Sequence, residues 1–157
     1  MKIAVINNND SGLFHFRREL LAELVSQGHE VFVLCPPGSF INEIELLGVK
    51  HVPIPLHRFI NPVGDVRLFW NLVRHLKKIK PDIVETITIK PNTFGVLAAR
   101  MAGVSKIVSL VAGAGEGFAD DQTFKQKSVH YAARFLYRQA GRFVDKMWFL
   151  NCTVQVK

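Results

Sequence analysis

The chain has 157 residues, 48% of them hydrophobic, which suits one domain with a real core and is too apolar for a disordered chain. Its net charge of +7 points to an anionic partner: a phosphate-bearing substrate, an anionic membrane or a nucleic acid. Cys35 and Cys152 form no CxxC pair and read as free thiols in a reducing compartment, and no apolar run approaches the roughly 18 residues of a spanning helix. The opening residues MKIAVINNND lack the long apolar core of a signal peptide. The expectation is a cytoplasmic protein that touches the inner membrane surface.

Lys2 to Asn7 is the first expected strand, nearly continuous in apolar residues as in a parallel strand covered on both faces. Asn8 to Gly12 is turn chemistry, with Asp10 or Ser11 as the expected cap of the next helix. Phe16, Leu20, Leu21, Leu24 and Val25 recur at helical spacing, and Gly28 ends that helix. Glu30 to Cys35 is strand 2, Phe40 to Leu47 a short helix closed by Gly48, and Val49 to Ile54 strand 3. His57 to Gly64 reads as a loop. Val66, Phe69, Trp70, Val73, Leu76 and Ile79 then form an apolar helical stripe that Pro81 ends. Asp82 to Thr88 is strand 4, and Pro91 opens a helix that Gly103 closes. Lys106 to Ala112 is strand 5, a last helix spans Phe124 to Ala140, and Phe143 to Leu150 is strand 6. Strands alternating with helices predict an α/β fold: a Rossmann-like parallel sheet of about six strands with helices on both faces. A sheet that stops straight after a strand also suggests half of a larger molecule.

The glycine-rich loop VAGAGEGFADD follows strand 5, where open α/β sheets bind ligands outside the carboxyl ends of their strands. Its plain alternative is an ordinary strand-to-helix connection. The turn after strand 1 holds only Gly12, so the GxGxxG of a dinucleotide site is absent there. There is no GxxxxGK[ST] and no HExxH, so neither a P-loop nor a catalytic metal is expected, and no cofactor is assigned. Lys90, Pro91, Asn92 and Thr93 sit where strand 4 meets its helix. Backbone amides there would favour an anion, with Lys90 as a point charge. Two segments are basic and free of acids, Val66 to Lys80 and Phe124 to Arg142. In the second, Tyr131, Arg134, Phe135, Arg138 and Arg142 share a stripe that suits the headgroup zone of an anionic membrane; the alternative is a solvated helix face. Without a recognition helix or RNA-binding signature, nucleic acid is not an expected partner.

INNNDSGLFHFRRELLAEL, PDIVETITIKPNTFGVLAARMAGV and VAGAGEGFADD together resemble the N-terminal domain of bacterial family-4 glycosyltransferases of the GT-B fold. The similarity is to the subgroup that builds capsule, O-antigen and lipid-linked oligosaccharides, and it runs to about Asn151. The resemblance implies a retaining transfer from a UDP-sugar to a sugar carried on undecaprenyl diphosphate. It also implies a peripheral location on the inner face of the cytoplasmic membrane. By its motifs, Ser11 and Gly12 match the loop beneath the substrates, Lys90 and Asn92 the KPN motif, and Gly113, Gly115 and Phe118 the GxGxxF motif. Glu116, in the same loop, joins the substrate-binding candidates. Ile89 stands where some relatives carry histidine, so no catalytic residue is assigned. The EX7E motif of the family's donor domain is absent. The expectation is therefore a single acceptor-side domain over 1–157, inactive alone, with the UDP-sugar held by a C-terminal domain outside it. The alternatives are a non-catalytic, membrane-associated acceptor subunit of a split transferase and a cofactor-binding Rossmann domain.

Overall fold

The computed structural model describes residues 1–56, 62–111, 135 and 137–150. Six parallel strands form one sheet: β1 (Lys2–Ile6), β2 (Glu30–Cys35), β3 (Lys50–Pro53), β4 (Ile83–Ile87), β5 (Lys106–Val111) and β6 (Lys146–Phe149). Their order is β3-β2-β1-β4-β5-β6, the doubly wound arrangement expected from the alternating pattern. The chain reverses its winding direction at β1, which pairs with β2 on one side and β4 on the other.

The four inner strands are covered on both faces, so side-chain parity divides the core in two. Ile3, Val5, Val31 and Val33 pack against α1 (Asp10–Ser26) and α2 (Ile41–Glu45). Ala4, Ile6, Leu34, Val84 and Ile107 pack against α3 (Pro62–Ile79) and α4 (Val96–Met101). Each fully buried leucine or isoleucine of this kind contributes about 2 kcal/mol. Gly28, Gly48 and Gly103 have φ values of 78°, 88° and 81°, the left-handed helix ends their positions suggested.

Several expectations need correction. The N-cap of α1 is Asn9, not Asp10 or Ser11: its Oδ1 accepts the Gly12 amide at 2.6 Å. The apolar stripe of α1 is rotated from the expected one, with Leu13 and Leu21 buried and Phe16 and Leu20 exposed. Arg17 lies on the inward side because Glu85, in the middle of β4, meets its guanidinium at 3.2 Å. The loop expected up to Gly64 is shorter, since α3 begins at Pro62. In α3 the buried set is Asp65, Leu68, Leu72, Val73, Leu76 and Ile79, and Val66 and Trp70 face outward. Asp65 is drawn inward by Lys90, and the leucine ladder at steps of three and four follows the same side. β6 is shorter than Phe143 to Leu150 and lies at the sheet edge, with Trp148, Phe149 and Leu150 exposed. Residues 137–141 are helical, as far as the last expected helix is described.

Candidate functional site

The reversal of strand order places β1 and β4 side by side with their following segments diverging, which opens a crevice at the carboxyl edge of the sheet. One wall is Asn7 to Gly12. Asn7 is buried, its Oδ1 accepts the Asn8 amide at 2.9 Å and its Nδ2 donates to the Asn9 carbonyl at 3.1 Å. A side chain at Gly12 would bring a Cβ within 2.9 Å of the Asn9 carboxamide oxygen, so glycine is what lets the cap close. Ser11 is half-buried in the first turn of α1, at the positive end of a 17-residue helix dipole. Asp10 beside it is buried and accepts the Phe40 amide at 2.8 Å, tying the turn after β2 to the same rim.

The opposite wall follows β4 and is less regular. Thr88 has φ of 77°, a region that β-branched residues rarely occupy, and its buried hydroxyl has no hydrogen-bond partner. The helix then starts at Ile89, and Pro91–Gly95 winds as a π-turn before α4. The wider turn leaves carbonyls short of partners, and the Thr93 hydroxyl bonds those of Ile89 at 3.1 Å and Lys90 at 3.0 Å. Gly95 allows this turn to lie on the sheet, because a Cβ there would reach 3.2 Å from Thr86 and 3.3 Å from Ile6.

Two candidate residues do something other than expected. The Lys90 ammonium contacts the Asp65 carboxylate at 2.6 Å, each side chain only 12% exposed, so its charge is matched inside the fold rather than offered to an anion. Asn92 is wholly buried: its Nδ2 donates to the Leu110 carbonyl at 2.9 Å and the Tyr137 hydroxyl at 3.2 Å, bracing β5 and the helical turn at 137–141. Burial raises the Tyr137 phenol above its ordinary range, against the pull of the Asn92 hydrogen bond. Burial likewise raises Glu85, with Arg17 opposing, and pushes the Cys35 thiol up to about 12 with the Asp10 carboxylate adding to it. Cys35 is therefore an inert core thiol, and Cys152 lies outside the described residues.

Gly113, Gly115, Glu116 and Phe118 lie outside the described residues, as do Tyr131 and Arg134. Phe135, Arg138 and Arg142 are exposed. The structure thus brings Ser11, Gly12 and Lys90 to the two walls of one crevice and turns Asn92 beneath it. Asp65, Thr88 and Tyr137 were not singled out from sequence. Asp65 and Tyr137 act through partners 25 and 45 residues away, and Thr88 is marked only by a threonine's presence at positive φ. A concavity of about 500 Å³ lined by Lys77, Pro81, Gly103 and Ser105 lies at the amino edge of the sheet, the end where such folds do not bind ligands.

The family profile described as Glycosyl transferase 4-like domain matches residues 12–144, which takes in the wall after β4 and, of the wall after β1, Gly12. The chain belongs to this family. Over 152 residues this glycosyl transferase 4-like domain is 30% identical to the N,N'-diacetylbacillosaminyl-diphospho-undecaprenol alpha-1,3-N-acetylgalactosaminyltransferase of Campylobacter jejuni, covering 96% of the chain and 40% of that enzyme. It is 40% identical over 129 residues to an Escherichia coli UDP-Gal:alpha-D-GlcNAc-diphosphoundecaprenol alpha-1,3-galactosyltransferase, covering 82% and 32% respectively. The chain therefore spans about a third to two fifths of these relatives. Among solved structures, Acinetobacter baumannii MurG superposes with a TM-score of 0.66 at 17% identity over 99% of the chain and 43% of MurG, a likeness of fold.

Proposed function

We propose that this domain is the acceptor-binding part of a glycosyltransferase that moves a sugar from a UDP-sugar to a sugar carried on a polyprenyl diphosphate, in the building of a surface polysaccharide. The observation that carries it is the similarity over 96% of the chain to an enzyme whose acceptor is a diphospho-undecaprenol sugar, on a fold that opens its crevice between β1 and β4. In the proposed reaction an acceptor hydroxyl oxygen bonds to the sugar C1 as the bond from C1 to the UDP oxygen breaks. The anomeric configuration is retained, UDP carries away the electron pair, and the hydroxyl proton is released.

The domain's share of this chemistry is positioning, which can supply much of a rate enhancement without a nucleophile. Ser11 and the glycine-opened turn at Gly12 form the floor on the β1 side, and the Lys90–Asp65 pair holds the β4 side at a fixed distance from α3. Asn92 acts through Leu110 and Tyr137. Gly113 and Gly115 remain candidate substrate contacts on the resemblance alone, and Glu116 on its place in the same loop. The acceptor is membrane-borne, so the proposed location is the inner face of the cytoplasmic membrane; no helix among the described residues is long and apolar enough to cross a bilayer.

Calorimetry with a water-soluble farnesyl-diphosphate-linked N-acetylhexosamine and with a UDP-sugar tests the proposal. Binding of the first with little or no binding of the second, and no sugar transfer by the chain alone, is the expected result. Transfer by this chain alone, or binding of the UDP-sugar only, would overturn the acceptor-side reading.

A further inference from the structure

The outward face of α3 combines features that neither the core nor a solvated surface explains. Val63, Val66 and Trp70 are 82%, 59% and 54% exposed, although the sequence pattern alone assigns Val66 and Trp70 to the core. Val63, Val66, Trp70 and Arg74 follow at helical steps of i, i+3, i+7 and i+11, one stripe along the helix, with Arg67 beside it. The one acid of α3, Asp65, is on the opposite side, held by Lys90. The exposed side is thus apolar in its first half and purely cationic beyond it.

We propose that this face docks on an anionic lipid bilayer, with Val66 and Trp70 entering the headgroup zone and Arg67 and Arg74 pairing with lipid phosphates. The inference rests on the membrane-borne acceptor of the preceding section and names the surface that meets the membrane. A tryptophan indole is apolar in body and polar at its N–H, which suits the interface between headgroups and acyl chains. Cations without any anion among them complement a surface of lipid phosphates better than the mixed charges of an ordinary protein partner. Three exposed apolar side chains are of no use to a nucleic-acid backbone. Lys77 and Lys78, in the last turn, also offset the negative end of the helix dipole, so the weight falls on Arg67 and Arg74. α3 starts at the carboxyl edge of the sheet, and the Lys90–Asp65 pair fastens its first turn to the rim. Docking by the apolar first half therefore sets the crevice beside the bilayer, where a lipid-linked diphosphate emerges. The membrane contact expected from sequence, on the stripe with Phe135 and Arg138, is not part of this face of α3.

The test uses the full 157-residue chain carrying Trp148→Phe, which leaves Trp70 as its one tryptophan. With vesicles of phosphatidylcholine and phosphatidylglycerol at three to one, Trp70 emission should shift to the blue and be quenched by brominated acyl chains. Pure phosphatidylcholine should give neither effect. Arg67→Glu with Arg74→Glu should weaken partitioning by at least about fivefold for each charge lost, and Val66→Asp should abolish the blue shift. Circular dichroism melts of these surface variants should match the parent. Vesicle binding with unshifted Trp70 emission would overturn this surface and leave the membrane-borne acceptor standing. Failure to bind anionic vesicles at all would overturn the surface and the membrane association together.

Discussion

The two walls of the crevice are built on opposite principles. Apart from the tie of Asp10 to the Phe40 amide, the turn after β1 is held by its own side chains: Asn7, Asn8 and Asn9 bond one another and the Gly12 amide, all within six residues. The turn after β4 is held from a distance, by Asp65 on α3, Leu110 at the end of β5 and Tyr137. It also carries the costs that the first turn avoids, namely a threonine at positive φ, a π-turn and buried oxygens of Thr88 and Asn92 without partners. A local turn can form early and keep its shape alone. A turn tied to three other elements exists only when the sheet is assembled, and it can transmit their displacement to the rim.

Breaking the distant ties should therefore cost most. Asp65→Ala takes the carboxylate away from the buried Lys90 ammonium, and urea unfolding should show a loss of about 3 kcal/mol. The double variant Asp65→Leu with Lys90→Met should recover most of that, because both charges of the buried pair are removed together. Asn92→Ala removes two hydrogen bonds from a wholly buried position and should cost about 2 kcal/mol, with the Tyr137 ring losing its fixed environment in near-ultraviolet circular dichroism. Asn9→Ala removes only a helix cap and should cost about 1 kcal/mol by thermal melting, with the rest of the chain unmoved. Thr88→Gly should go the other way and raise stability by about 1 kcal/mol, since it relieves the strained φ and deletes a hydroxyl without a partner. Equal costs for Asn9→Ala and Asp65→Ala would erase the contrast between the walls.

The same contrast explains what could be read in the sequence. Apolar strands alternating with helical patterns, each ended by a glycine or proline, were enough for the parallel sheet and its helices, because those signals are local. Ser11 and Gly12 could be placed on the rim for the same reason. Lys90 was legible as a rim residue but not as a paired one, because Asp65 stands 25 residues earlier. Asn92 has the look of an exposed polar residue at a helix start, and only the assembled β5 turns its amide into a brace. The faces of α1 and α3 were misassigned because both helices carry more apolar residues than one stripe can bury. The choice fell to packing and to two inward ion pairs, Arg17–Glu85 and Lys90–Asp65.

The proposed acceptor site, the crevice between β1 and β4, should receive a lipid-diphosphate-linked sugar. Amide chemical-shift mapping of the isotopically labelled 157-residue chain, titrated with farnesyl-diphosphate-linked N-acetylhexosamine, addresses it directly. The amides of Ser11, Gly12 and Thr88 to Asn92 (Pro91 has none) should move together and saturate. Shifts confined to the amino edge around Gly103 and Ser105, or no shifts at millimolar ligand, would contradict it.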